Sequence, residues 1–167
     1  MEQILSTLSI ATLGEGFTNI TSEIHQWVVT NKINKGIMLL FLQHTSCSLT
    51  INENADPRVL EDLSSFMKAL VPEEGISPMP GQKERLPYQH SEEGADDMPA
   101  HIKTSLTCSS LTLSIDNCKL NLGTWQAIYL WEHRHLKHSR KICLHAIGEI
   151  LEINDASSTS TEAKLMI

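Results

Sequence analysis

A chain of 167 residues is long enough for one domain with a substantial core, and 41% hydrophobic with 20% charged residues excludes a disordered or fibrous protein. The net charge of −7 argues against non-specific nucleic-acid binding as the main role, and no apolar run is long enough to span a membrane. Cys47, Cys108, Cys118 and Cys143 form no CxxC pair or disulfide scaffold, and Glu2 stands where a secretory signal would be positive, so reduced thiols in a cytoplasmic protein are expected.

Residues 3–10 read as a strand. Residues 17–30 place Phe17, Ile20, Ile24, Trp27 and Val28 at helical spacing. Gly36 reads as a break, and residues 36–43 as a strand buried on both faces. The next strand, 46–52, puts Cys47, Leu49 and Ile51 on one face, and Ser46, Ser48, Thr50 and Asn52 on the other with His44. Asp56 is an N-cap and Pro57 a first helical residue for a helix that Pro72 ends. From 72 to about 96 no periodicity appears, and a stretch that long in a compact domain is usually functional or disordered. A short helix near 97–108 follows, then strands at 111–115, 124–133 and 140–150, with a turn at 116–119. The expected fold class is α+β: a single domain, residues 1–153, with a mixed, largely antiparallel sheet and a few helices. Residues 154–167 form a polar, Ser/Thr-rich tail.

Three constellations carry chemistry. In the first, His44, Thr45 and Ser46 precede Asn52, Glu53 and Asp56, a polar pocket floor at the end of a rigid strand. Turn and cap chemistry is the bland alternative. In the second, His90 is followed by Asp96, Asp97 and His101; if Asp97 caps a helix, His101 lies one turn on. A carboxylate there fixes the tautomer of an imidazole that is a general base or a metal ligand. A plain cap with a surface histidine is the alternative. The third runs from Gln126 to Glu132 and on through Arg134 and Arg140, a basic loop in an acidic protein that suits phosphate or serves as a solvated hairpin. No P-loop, GxSxG or HExxH occurs.

Together, "HTSCSLTINENADP", "HSEEGADDMPAHIK" and "KLNLGTWQAIYLWEHR" with Arg140 resemble the signatures of the YjbQ-like family over residues 1–150. The resemblance implies a compact α+β fold assembled as a homotrimer. It also implies a secondary thiamine-phosphate synthase activity, joining hydroxymethylpyrimidine diphosphate to thiazole phosphate with release of pyrophosphate. A metal-dependent hydrolase of a small phosphorylated or amide metabolite and a non-catalytic ligand-binding trimer need the same pocket. The matching positions are His44, Thr45, Ser46, Asn52, Glu53, Asp56, His90, Asp96, Asp97, His101, Gly123, Gln126 and Glu132. On this reading His44, Ser46, Asp97, His101 and Glu132 are catalytic. Thr45, Asn52, Glu53, Asp56, Gln126, Arg134 and Arg140 bind a small phosphorylated metabolite. His44, His90 and His101 hold a divalent ion, zinc or magnesium, or an anion in its place. Segments 44–56, 88–101 and 126–132 become three walls of one pocket. Cys118 stands where similar sequences carry Gly, so a different turn is expected there.

Overall fold

The computed structural model describes residues 1–77 and 85–151. The reading of 154–167 as a tail lies outside the described residues. Among the described residues, eight strands and three helices follow in the order β1 (Glu2–Ala11), β2 (Gly16–Asn19), α1 (Thr21–Thr30), β3 (Ile33–Leu42), β4 (Cys47–Glu53), α2 (Pro57–Leu70), α3 (Asp97–Ser105), β5 (Ser110–Asp116), β6 (Lys119–Leu120), β7 (Gln126–Glu132) and β8 (Ser139–Ile150). They build a five-stranded sheet, β1-β8-β3-β5-β6, and a three-stranded sheet, β2-β7-β4, in which every pairing is antiparallel. The inner faces of the two sheets and α1 enclose the core, with Ile24, Val28, Leu40, Leu49, Ile128, Leu130 and Leu144 fully buried. A smaller cluster of Met67, Val71 and Trp131 gathers Leu63 from α2 and Ile102 from α3.

Four local expectations are revised. Residues 17–19 are strand, not helix: Phe17 pairs with Trp131 and stacks on it at 4.3 Å. The Asn19 side chain then accepts the Thr21 N–H at 3.0 Å, which starts α1 two residues later. Gly36 lies inside β3 directly opposite Gly148, where a Cβ would stand 2.3 Å from the Ile147 carbonyl oxygen, so it permits close strand approach rather than breaking the chain. Strand β3 is buried on one face only, for Ile37, Leu39 and Phe41 remain 54%, 38% and 45% exposed. Finally, 72–96 is not wholly irregular, because Ile76 and Leu86 exchange backbone hydrogen bonds of 2.9 and 2.8 Å.

The turn between β5 and β6 keeps the geometry that glycine would favour. Asn117 and Cys118 have φ of 51° and 57°, the two positive values of a type I′ turn. An L-residue other than Asn or Asp is strained there. Cys118→Gly is therefore expected to stabilise the chain by about 1 kcal/mol, read as a higher urea midpoint. An unchanged or lower midpoint would contradict the account.

Candidate metal centre

Strand register decides which chemistry-bearing residues meet. Cys47 pairs with Glu132 and Glu53 with Gln126, so β4 and β7 carry their polar residues at opposite ends, about 20 Å apart at ~3.4 Å per residue. At the far end Asn52 Oδ1 accepts the Glu53 N–H, Gln126 Oε1 accepts the Gly123 N–H, and Asp56 caps α2 and pairs with Arg58. Within one chain, then, Asn52, Glu53, Asp56 and Gln126 do not line a pocket with the histidines. The three expected walls are two separate places.

The near end is organised around Glu132, which is completely buried. Arg140 grips it with two hydrogen bonds of 2.7 and 2.5 Å, Thr12 Oγ1 donates to it at 2.9 Å, and the His133 and Arg134 N–H groups donate at 3.1 Å. Burial alone would raise its pKa, but Arg140 and these donors hold it below the usual range. Arg140 also donates to Ser46 Oγ at 3.1 Å. His44 Nε2 accepts the Lys141 N–H at 2.7 Å, which requires an unprotonated Nε2. Burial first, then Arg140, lowers the His44 pKa. His44 is thereby engaged in this network and does not join the cluster of His90 and His101.

Helix α3 begins at Asp97, with Asp96 before it, so Asp97 is the first helical residue rather than the cap. Its carboxylate is buried and faces His90 and His101, the latter one turn on. The candidate ligand atoms of the three residues all lie within 4.8 Å of one another. Two details bear on how these residues could hold a metal. His90 Nε2 stands 2.7 Å from Asp97 Oδ2, yet the two are not aligned as a hydrogen bond, and among the described residues Oδ2 has no hydrogen-bond partner. His101 Nδ1 lies 3.0 Å from the Thr45 carbonyl oxygen, which can only accept. A proton is therefore on Nδ1, and in the neutral imidazole the Nε2 lone pair would face the cluster. Two imidazoles and a carboxylate suit zinc or a similar first-row ion better than magnesium, which prefers oxygen. The candidate set thus contains Asp97 where His44 was expected.

The basic loop is mostly neutralised. Arg134 donates to Asp96, Asp97 and the Glu93 carbonyl, His135 pairs with Glu73 at 2.7 Å, and Arg140 is held by Glu132. Asp96 is held below the usual carboxylate range: burial would raise it, but the His135 N–H and Arg134 outweigh that. Lys137 and Lys141 make no ion pair with a described residue. Beside the cluster runs a cleft of about 660 Å³, lined by Ile76, Leu86, Tyr88, His90 and Met98 among others.

Some contacts here carried no sequence signal. Ser48 Oγ lies 2.9 Å from Nε2 of His133, which is buried against Trp131 and whose Nδ1 has no hydrogen-bond partner among the described residues. Burial, then Lys103, lowers the His133 pKa to about 4. Buried Lys103 reaches Glu15 at 2.9 Å. Thr12, Ser48 and Glu15 meet their partners across 85 to 120 residues, a distance no spacing argument covers. Because the unfolded chain takes up the His133 proton near 6.5 and the folded chain only near 4, stability is complete above 6.5 and falls as pH drops through that window. Between pH 7 and 4.5 the wild type is expected to lose roughly 2–3 kcal/mol more than His133→Gln, measured by urea unfolding. Equal losses would contradict a buried neutral imidazole.

The family described as "UPF0047 protein YjbQ-like" matches residues 6–149. A Synechocystis UPF0047 protein is 46% identical over 143 residues, covering 86% of this chain and 90% of that one. The UPF0047 protein YjbQ of Escherichia coli O157:H7 is 42% identical over 144 residues, covering 86% and 96%. Among solved structures, an uncharacterised YjbQ/UPF0047 protein from Clostridium acetobutylicum superposes with a TM-score of 0.69 at 34% identity, covering 86% of this chain and 99% of that one. A Sulfolobus solfataricus protein of unknown function shares the fold with a TM-score of 0.71 at 21% identity, covering 89% and 100%. No helix among the described residues is long and apolar enough to cross a membrane. By sequence match and by fold, the chain belongs to the YjbQ-like UPF0047 family.

Proposed function

We propose that the chain is a divalent-metal-dependent enzyme of a small phosphorylated metabolite, of the secondary thiamine-phosphate synthase type that the family resemblance suggests. The observation that supports the metal is the buried Asp97 carboxylate between two imidazoles, with Oδ2 beside His90 but without a hydrogen bond among the described residues, Oδ1 nearest His101, and the Nδ1 proton of His101 directed at the Thr45 carbonyl. His90, Asp97 and His101 would hold the ion. When bound, it would offset negative charge on the diphosphate leaving group. Lys137 and Lys141 attract the phosphorylated substrate, and the apolar cleft beside His90 takes its uncharged part.

A second reading, a metal-dependent hydrolase of a small phosphorylated or amide metabolite, is favoured by the nitrogen-rich ligand set and by the commitment of both arginines to carboxylates. One assay separates the two. Chelator-stripped protein, reloaded with zinc or magnesium, is mixed with hydroxymethylpyrimidine diphosphate and thiazole phosphate. Metal-dependent thiamine phosphate with pyrophosphate supports the transferase. Inorganic phosphate without a coupled product supports the hydrolase, and no turnover with either metal overturns both.

A homotrimer is part of the proposal. Tyr129 and Trp131 of β7 are buried within the chain and lend it no support, while Trp125, just before β7, is exposed. Support comes instead from the outer face of the large sheet, where exposed Leu5 joins Ile37, Leu39 and Phe41. Sedimentation at micromolar concentration is expected to give three chains per particle; a monomer would remove the idea.

A further inference from the structure

Arg134 leaves the end of β7 and reaches back to the segment before α3. Its side chain is 12% exposed, and its donors go to three different acceptors. Nε donates to Asp96 Oδ2 at 3.0 Å, Nη2 to the Glu93 carbonyl at 2.7 Å, and Nη1 to Asp97 Oδ1. A guanidinium held at three points has one orientation and fixes what it touches. The loop is closed around it. Gly94 sits at φ 122°, where a Cβ would come within 2.8 Å of Asp96 Oδ1 and 3.8 Å of Arg134 Nη2. Asp97 is left with Oδ1 tied to Arg134 and Oδ2 facing His90 without a hydrogen bond.

We infer that Arg134 is a positioning residue for the metal centre rather than a phosphate ligand; the inference rests on the metal reading above. By occupying Oδ1, the oxygen nearest His101 Nε2, it leaves Oδ2 beside His90 as the one oxygen Asp97 can offer an ion. Electrostatics alone predicts the opposite effect on affinity. A guanidinium beside a dication repels it, so removing the charge would tighten binding if charge were all that mattered. Loss of orientation weakens it.

The test uses the full chain and zinc alone. Zinc affinity is measured by competition with a chromophoric chelator, and cobalt(II) is substituted to read coordination from its visible bands. Arg134→Ala is expected to weaken zinc binding by roughly 10- to 100-fold, as the loss of groups that orient metal ligands typically does. Its cobalt bands should weaken as Asp97 becomes free to bind through both oxygens, a change that general destabilisation does not produce. Added methylguanidinium should restore part of the affinity. Arg134→Lys should fall between, because one ammonium cannot hold Asp96, Asp97 and the Glu93 carbonyl together. Unchanged or tighter zinc binding in Arg134→Ala overturns the inference, and if that variant fails to fold, Arg134→Lys at wild-type affinity does so. A wild-type chain that binds no zinc overturns the metal reading itself. Wild-type binding beside an unaffected Arg134 variant overturns only the positioning role.

Discussion

Asp97→Asn is expected to lower zinc affinity by at least roughly 100-fold, more than the loss of a group that merely orients a ligand, while the chain stays folded. The substitution keeps the shape of the side chain and removes its charge. Arg134 retains Asp96 and the Glu93 carbonyl as partners, so it is not left uncompensated. Helix α3 keeps its start, because Asp96 and Asp97 make no side-chain cap that the change would break. Activity that depends on the metal should fall with the affinity, and excess zinc should recover part of it. His101→Ala should lose binding as well, since its Nε2 faces the same point. Circular dichroism checks the fold, and a competition titration checks the metal. Wild-type zinc binding in Asp97→Asn beside loss in His101→Ala would reduce Asp97 to an ion-pair partner of Arg134.

Arg140→Ala is expected to cost about 3–5 kcal/mol at neutral pH, the usual penalty for removing one member of a buried ion pair. Glu132 is wholly buried, and Arg140 provides its only guanidinium hydrogen bonds among the described residues. The pH dependence has a definite sign. In the wild type the lowered pKa of Glu132 contributes stability above its ordinary value of 4.5, and that contribution is lost as pH falls through the folded value. Without Arg140, burial is unopposed and raises the carboxyl, so the variant suffers most at neutral pH and least in acid. The gap between wild type and variant should narrow from pH 7 to pH 4.5 in urea unfolding. A loss below about 1 kcal/mol would mean that the pair is screened as surface pairs are.

Much of the fold was legible because local chemistry and global pattern agreed. Asp56 accepts the Arg58 N–H and Pro57 opens α2, as the sequence order of cap and proline implies. The alternation of Cys47, Leu49 and Ile51 placed β4 correctly. The misreadings have physical causes. Phe17 falls at helical spacing from Ile20 and Ile24, yet its ring is worth more against Trp131 in strand pairing than on a helix face. The apolar run of β3 looked doubly buried because Ile37, Leu39 and Phe41 are outward within one chain.

The site was legible as residue types but not as an arrangement. His90, Asp97 and His101 sit within one short segment, so spacing brought them into view. That His44 belongs with Arg140 and Lys141 instead depends on β8 running past the end of β3, which no local pattern encodes. The pairing of Glu132 with Arg140 was hidden for a different reason. Both residues looked like ligands for something external, and only the burial of Glu132 reveals that they satisfy each other.

The most direct test of the metal centre is anomalous diffraction at the zinc edge from crystals of the full chain grown with zinc. The account predicts a single strong peak per chain within bonding distance of His90 Nε2, Asp97 Oδ2 and His101 Nε2, about 2 Å from each. No peak there, or zinc seated on His44 instead, would contradict it.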